Sequence, residues 1–272
     1  MDPDILACLR EGRISTLRLG DMGVGSVGIT LDPHFILGRD GARTGWLAKR
    51  LRASQFGDPA ATFARFEREH RLVDRYFGAP PPSMVAESAF VVLDGWSSPG
   101  STTQSREYVM VQEFVNGISL DEAATRFRAG ELPWLGDEIH RFLDAYRHMQ
   151  HEAMAVLDCF STRSDHVKVD VRQRRVVLID TNNLVSLRDE LSCNAAFRSS
   201  GGGDPDSADA EVIARSLAMM QSSGEYDPAR LATTRDPTFL RDARAIELLV
   251  RYFPAGGEDN FYVREVLAAF FP

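Results

Sequence analysis

A chain of 272 residues is long enough for one large unit or for two lobes that each bury a core. Its 44% hydrophobic and 26% charged residues fall in the ordinary globular range, which excludes a disordered, collagen-like or coiled-coil chain. The formal net charge of −8 argues against broad binding to a phosphate backbone, so nucleic acid is not an expected partner.

No run of about 18 uncharged apolar residues occurs, and MDPDILACLREGR at the start carries acids where a secretory leader carries a basic patch and an apolar run. A soluble, unexported chain with no membrane partner is expected. The three cysteines, Cys8, Cys159 and Cys193, are odd in number and lack CxxC spacing, so a reducing, cytoplasmic setting fits. Of 31 basic side chains only Lys49 and Lys168 are lysine. In so arginine-rich a chain, a retained lysine raises the question of whether its site needs a compact ammonium. For Lys168 an alternating half-exposed strand already accounts for it.

In chain order, RISTLRLGDMG, GITLDPHFILG and GWLAKRL read as extended segments broken by glycine, a small antiparallel sheet. From Asp58 the period changes: Phe63, Phe66, His70, Val73 and Phe77 recur at helical spacing until Gly78. SAFVVLDGW and REYVMVQEFVNG then form two β-rich runs around the loop SSPGSTTQS, a hairpin with a long tip. Beyond Asn116 and Gly117 the signals are helical. SLDEAATRFRAG comes first, then GDEIHRFLDAYRHMQHEAM with an apolar stripe of Ile139, Phe142, Leu143, Tyr146 and Met149. Two short strands, HVKVDV and RRVVLID, precede a largely helical remainder interrupted by the linker SSGGGDPDS. A division at Gly117 is expected, with a sheet-rich lobe over 1–116 and a helical lobe over 117–272.

Several stretches could carry chemistry. Gly23, Gly25 and Gly28 form GxGxxG, but Ile29-Thr30-Leu31-Asp32-Pro33 follows, so the motif joins two strands and does not open a helix. Such a hairpin can lay backbone N–H groups over phosphates, although an ordinary glycine-rich turn has the same pattern. Lys49 on the next strand needs an acidic partner if buried. Glu67 and Glu69 compete on the following helix, about 200° apart, and Glu69 shares the side of Phe66 and Val73. Asp180 ends the apolar run Val176–Ile179, a placement that offers a hard oxygen to Mg²⁺ or simply caps a turn. His34, His70, His140, His148 and His151 lack HExxH or triad-like spacing, and His148 with His151 has no third ligand in view.

Taken in order, the glycine hairpin, strand lysine, helix glutamate, Glu113-Phe114-Val115 run, loop aspartate and strand-end aspartate resemble the protein-kinase-like superfamily across roughly residues 13–190. The resemblance implies an α+β, two-lobed protein-kinase-like fold: an antiparallel β-sheet plus helix as N-lobe and a mainly helical C-lobe. By family position, Gly23, Gly25 and Gly28 would cover ATP, Lys49 would hold its α- and β-phosphates, and Glu69 would pair with Lys49. The Glu113 carbonyl and the Val115 amide would hold adenine. Asp180 would bind Mg²⁺, with Thr181-Asn182 standing where the family has Phe-Gly. His166, 14 residues before Asp180, falls where the family has a metal-binding Asn. An imidazole is a poorer Mg²⁺ ligand than an amide oxygen. Asp158, eight residues before His166 where the family spacing is about five, would orient the acceptor hydroxyl, with Asp165 as the rival. The implied activity is ATP-dependent phosphotransfer to a hydroxyl on a protein or small molecule. The alternatives are a pseudokinase acting as a nucleotide-binding or protein-interaction module, and a nucleotidyl transferase on the same fold.

Overall fold

The computed structural model describes residues 2–16, 31–51, 58–79, 81–96, 105–157, 166–181, 184–186, 252–253 and 259–272. Gly23, Gly25, Gly28, Asp158 and Asp165 lie outside that set, as do residues 187–251 of the expected helical remainder. The chain is mixed α+β.

Two compact units make up the chain: Met1–Ala123 with Arg163–Asn182, and Ala124–Thr162 with Asn183–Pro272. A single cut at residue 117 does not describe this division, because residues 163–182 return to the first unit.

In the first unit, helix α1 (Pro3–Arg10) precedes strands β1 (Ile14–Thr16), β2 (Leu31–Leu37) and β3 (Arg43–Leu51). Helix α2 (Pro59–Phe77) follows, then β4 (Ser88–Trp96) and β5 (Ser105–Glu113). The strands form one five-stranded antiparallel sheet in the order β1-β2-β3-β5-β4. Side chains of a strand alternate between its faces, so the sheet is two-sided. Ala48, Val109 and Val111 pack with Ile5, Cys8 and Leu9 of α1, while Leu51 and Met110 pack with Phe63 and Phe66 of α2. Both helices start the way their sequences dictate: Asp2 and Asp58 accept backbone N–H groups of the first turn, and a proline opens each helix. The buried stripe of α2 is Thr62, Phe63, Phe66, His70, Val73 and Phe77.

A second, three-stranded sheet is built from β6 (Ile118–Ser119), β8 (Val167–Asp170) and β9 (Arg175–Leu178). β9 is also pinned to the segment before β4, since Leu178 N–H donates to the Met84 carbonyl at 2.8 Å and Ala86 N–H donates to the Leu178 carbonyl at 2.9 Å. Ala86, Val115 and Val177 close a small core there. That pairing, 92 residues apart between Ala86 and Leu178, joins β9 to the rest of the first unit.

The second unit centres on α4 (Leu135–Glu152), whose Ile139, Phe142, Leu143, Tyr146 and Met149 are all fully buried, as the apolar stripe predicts. The hydroxyl of Tyr146 donates to the Leu157 carbonyl of β7 (Ala155–Leu157), which pairs antiparallel with β10 (Leu184–Ser186). The last helix, α5 (Phe261–Phe270), packs Tyr262 against Tyr146, and Asn260 caps it. Helix α3 (Leu120–Arg128) directly follows β6. Among the described residues no helix is long and apolar enough to cross a membrane.

Candidate functional site

Three consecutive residues at the end of β9 are each held by a side chain from elsewhere in the first unit. Lys49, on β3, donates from Nζ to the Ile179 carbonyl at 2.9 Å. His166 sets Nδ1 at 3.3 Å from Asp180 Oδ2, and its carbonyl accepts the Ile179 N–H at 2.9 Å. His70, on α2, lies with Nδ1 at 3.1 Å from the hydroxyl of Thr181, which is completely buried. Residues 49, 70, 166 and 179–181, scattered in sequence, thus converge on one strand end.

Electrostatics at this cluster follow from burial. The half-buried Lys49 has its pKa pushed below the ordinary 10.5 by desolvation of its ammonium, with the Asp180 carboxylate pulling in the opposite direction. His70, 8% exposed, is held below 6.5 first by burial; Asp74 raises it and the Lys49 charge lowers it. Burial thus disfavours the charged form of both Lys49 and His70, and the Asp180 carboxylate opposes this at Lys49.

The helix partner differs from the one expected. Glu69 Oε1 lies 3.7 Å from Arg65 Nε on its own helix, and a Lys49–Glu69 ion pair is not formed among the described residues. The physical reason is helical phase. His70 occupies the buried line of α2 with Phe66, Val73 and Phe77, while Glu69 sits beside that line, half-buried. The sequence contained a signal for this: His70 is the one ring nitrogen-bearing side chain in a stripe that is otherwise apolar but for Thr62, and a buried polar group has to find a partner.

Three residues further along β5 than Met110, the register partner of Lys49, the Glu113-Phe114-Val115 run carries a second polar network. Glu113 N–H donates to the Glu87 carbonyl and Phe114 N–H to the Gly45 carbonyl, both at 2.8 Å. The Glu113 carboxylate pairs with the guanidinium of Arg175, which is 5% exposed and has Asp170 Oδ2 at 3.8 Å from Nε. The side chain of Glu113 therefore fastens β5 to the β8–β9 hairpin, a role that the sequence reading did not assign. Among the described residues, the Val115 N–H has no hydrogen-bond acceptor. A cleft of about 670 Å³ opens along this face, lined among others by Trp46, His70, Glu87, Glu113 and Arg175.

Lys168 also departs from its half-exposed expectation, being 8% exposed on β8 opposite Ser119 and Val177. Among the described residues no group of three or more His, Cys, Asp or Glu side chains could hold a metal ion. Asp180 and His166 make two. The groups present, the Lys49 ammonium on the Ile179 carbonyl and within electrostatic reach of the Asp180 carboxylate, fit phosphate and a hard cation, whereas an imidazole fits Mg²⁺ poorly.

No family model matches the chain, and a comparison with curated proteins finds no match.

Proposed function

We propose that the chain is a kinase-like, ATP-dependent phosphotransferase with a two-lobed protein-kinase-like fold. One observation carries the reading: the lysine of the third sheet strand and the aspartate ending β9 are brought together across 131 residues of sequence, with Lys49 bonded to Ile179 and electrically coupled to Asp180. The helix inserted between β3 and β4, and the edge from Glu113 to Gly117 leaving the sheet, support the same reading. Keeping a desolvated lysine costs stability, which makes sense where an anionic ligand takes its charge.

In this function Lys49 binds the α- and β-phosphates, Asp180 holds Mg²⁺, and the Val115 amide with the Glu113 carbonyl receives adenine. Bound Mg²⁺ would supply neutralisation of the charge on the transferring phosphoryl group. Asp158 orients the acceptor hydroxyl, on a protein or a small molecule, with Asp165 as the rival carboxylate. A pseudokinase that binds nucleotide without transferring phosphate is the second reading, favoured by His166 lying 3.3 Å from Asp180.

Thermal-shift titration with ATP and Mg²⁺, ATP alone and Mg²⁺ alone tests the proposal. MgATP should stabilise the protein, Lys49→Ala and Lys49→Arg should both weaken that effect, and Asp180→Asn should remove its Mg²⁺-dependent part while sparing metal-free ATP. Equal MgATP shifts in the wild type and both Lys49 variants would overturn it. In transfer assays Asp158→Ala should abolish turnover with nearly unchanged MgATP affinity, and Asp165→Ala should do less. MgATP binding by the wild type without phosphate transfer to any acceptor or to water selects the pseudokinase.

A further inference from the structure

The three pins on residues 179–181 differ in origin. Ile179 is held from β3 by Lys49, and Asp180 from the start of the β8–β9 hairpin by His166. Thr181 is held from α2 by His70. We propose that His70 is a positioning residue: by its hydrogen bond to Thr181 it fixes the backbone on which Asp180 stands and so aims the carboxylate toward Lys49. This rests on the nucleotide-site reading above and gives α2 a task there that does not need Glu69.

Geometry supports this assignment. Both partners of the bond are buried, at 8% and 0% exposure, so neither can turn to water without losing a partner. The imidazole also packs against Phe90 of β4, with ring centroids 5.5 Å apart, which restricts its orientation. Thr181 is bonded covalently to Asp180, and a shift of its side chain is transmitted to the carboxylate through one peptide unit. Burial first, and the Lys49 charge with it, disfavour protonation of this ring.

The test uses the full chain and ATP with and without Mg²⁺. His70→Phe keeps a ring against Phe90 and deletes the nitrogen; Thr181→Val deletes the hydroxyl; His70→Asn presents a polar atom near the place of Nδ1. The readout is the ratio of ATP affinity with Mg²⁺ to that without. His70→Phe and Thr181→Val should each lower the ratio about three- to tenfold, the worth of one hydrogen bond. The double variant should be no worse than either single one, and His70→Asn should restore most of the loss. A merely structural histidine would lower thermal stability and leave the ratio unchanged, which overturns the proposal, as would additive single effects. If ATP affinity of the wild type does not respond to Mg²⁺, the nucleotide-site reading fails, and amide hydrogen exchange at 179–181 decides on His70 alone. Faster exchange, alike in His70→Phe and Thr181→Val and no faster in the double variant, upholds the positioning role; unchanged exchange ends it.

Discussion

At the scale of single residues, Lys49 and His70 put function and stability in opposition. Burial disfavours the charged ammonium, so Lys49 lowers stability while it serves a ligand. Lys49→Met, similar in length and apolar, should abolish MgATP binding and raise the unfolding free energy by about 1 kcal/mol at neutral pH. A urea titration that finds the variant destabilised by as much would remove the argument. The pH dependence has a definite sign. Both groups have pKa values lowered by folding, so between the folded value and the ordinary one the unfolded chain binds more protons, and stability rises with pH. For His70 this means that stability is lost as pH falls below about 6.5. His70→Phe should flatten that part of the profile relative to the wild type, measured as thermal midpoints from pH 7.5 down to 5. Parallel profiles would show that protonation of His70 is not what the fold resists.

At the scale of elements, local chemistry decides what a sequence reveals. The apolar stripes of α2 and α4 were legible because burial on one face forces a period of 3.6, and the β4–β5 hairpin because β-branched runs flank polar turn residues. The three-residue strands β7 and β10 were not, since so short a segment carries no period, and their pairing is set by chain far away in sequence. α1 was passed over although Asp2 and Pro3 announce it, because its few apolar residues make sense only against β2 and β3. Within the site, Lys49 and Asp180 were legible as residue types at strand positions. Ile179 and Thr181 were not, because a backbone carbonyl leaves no sequence mark and the partner of a lone hydroxyl is set by distant chain; His70 was legible as a buried polar residue on the α2 stripe but not as the partner of Thr181. Caps behave as local chemistry predicts. Asn260 accepts the N–H groups of Tyr262 and Val263 and donates to Gln150 and the Tyr252 carbonyl, all while fully buried. Asn260→Ala should therefore cost about 2 kcal/mol, at the upper end for a helix cap, read by urea unfolding. A cost below about 0.5 kcal/mol would mean that α5 holds without it.

At the scale of the molecule, the first unit is discontinuous, and this makes a prediction that the expected boundary does not. A chain ending at residue 116 retains the five-stranded sheet but loses β9, which takes backbone hydrogen bonds with Met84 and Ala86, and loses Val177 from the core with Ala86 and Val115. It also loses Arg175, so the half-buried Glu113 carboxylate is left without its guanidinium, a change that leaves a charge poorly solvated. The exposed row of carbonyls and amides at 84–86 would be a sheet edge open to wrong pairing. Residues 1–116 alone should consequently aggregate or melt without a cooperative transition. The full chain carrying Glu113→Gln should still melt cooperatively at a lower midpoint, because the β9 hydrogen bonds remain when the ion pair is weakened. Calorimetry of both separates the contributions. A cooperative transition of residues 1–116 at the midpoint of the full chain would establish that the sheet and its two helices are sufficient, and that residues 163–182 pack against them without contributing to their stability.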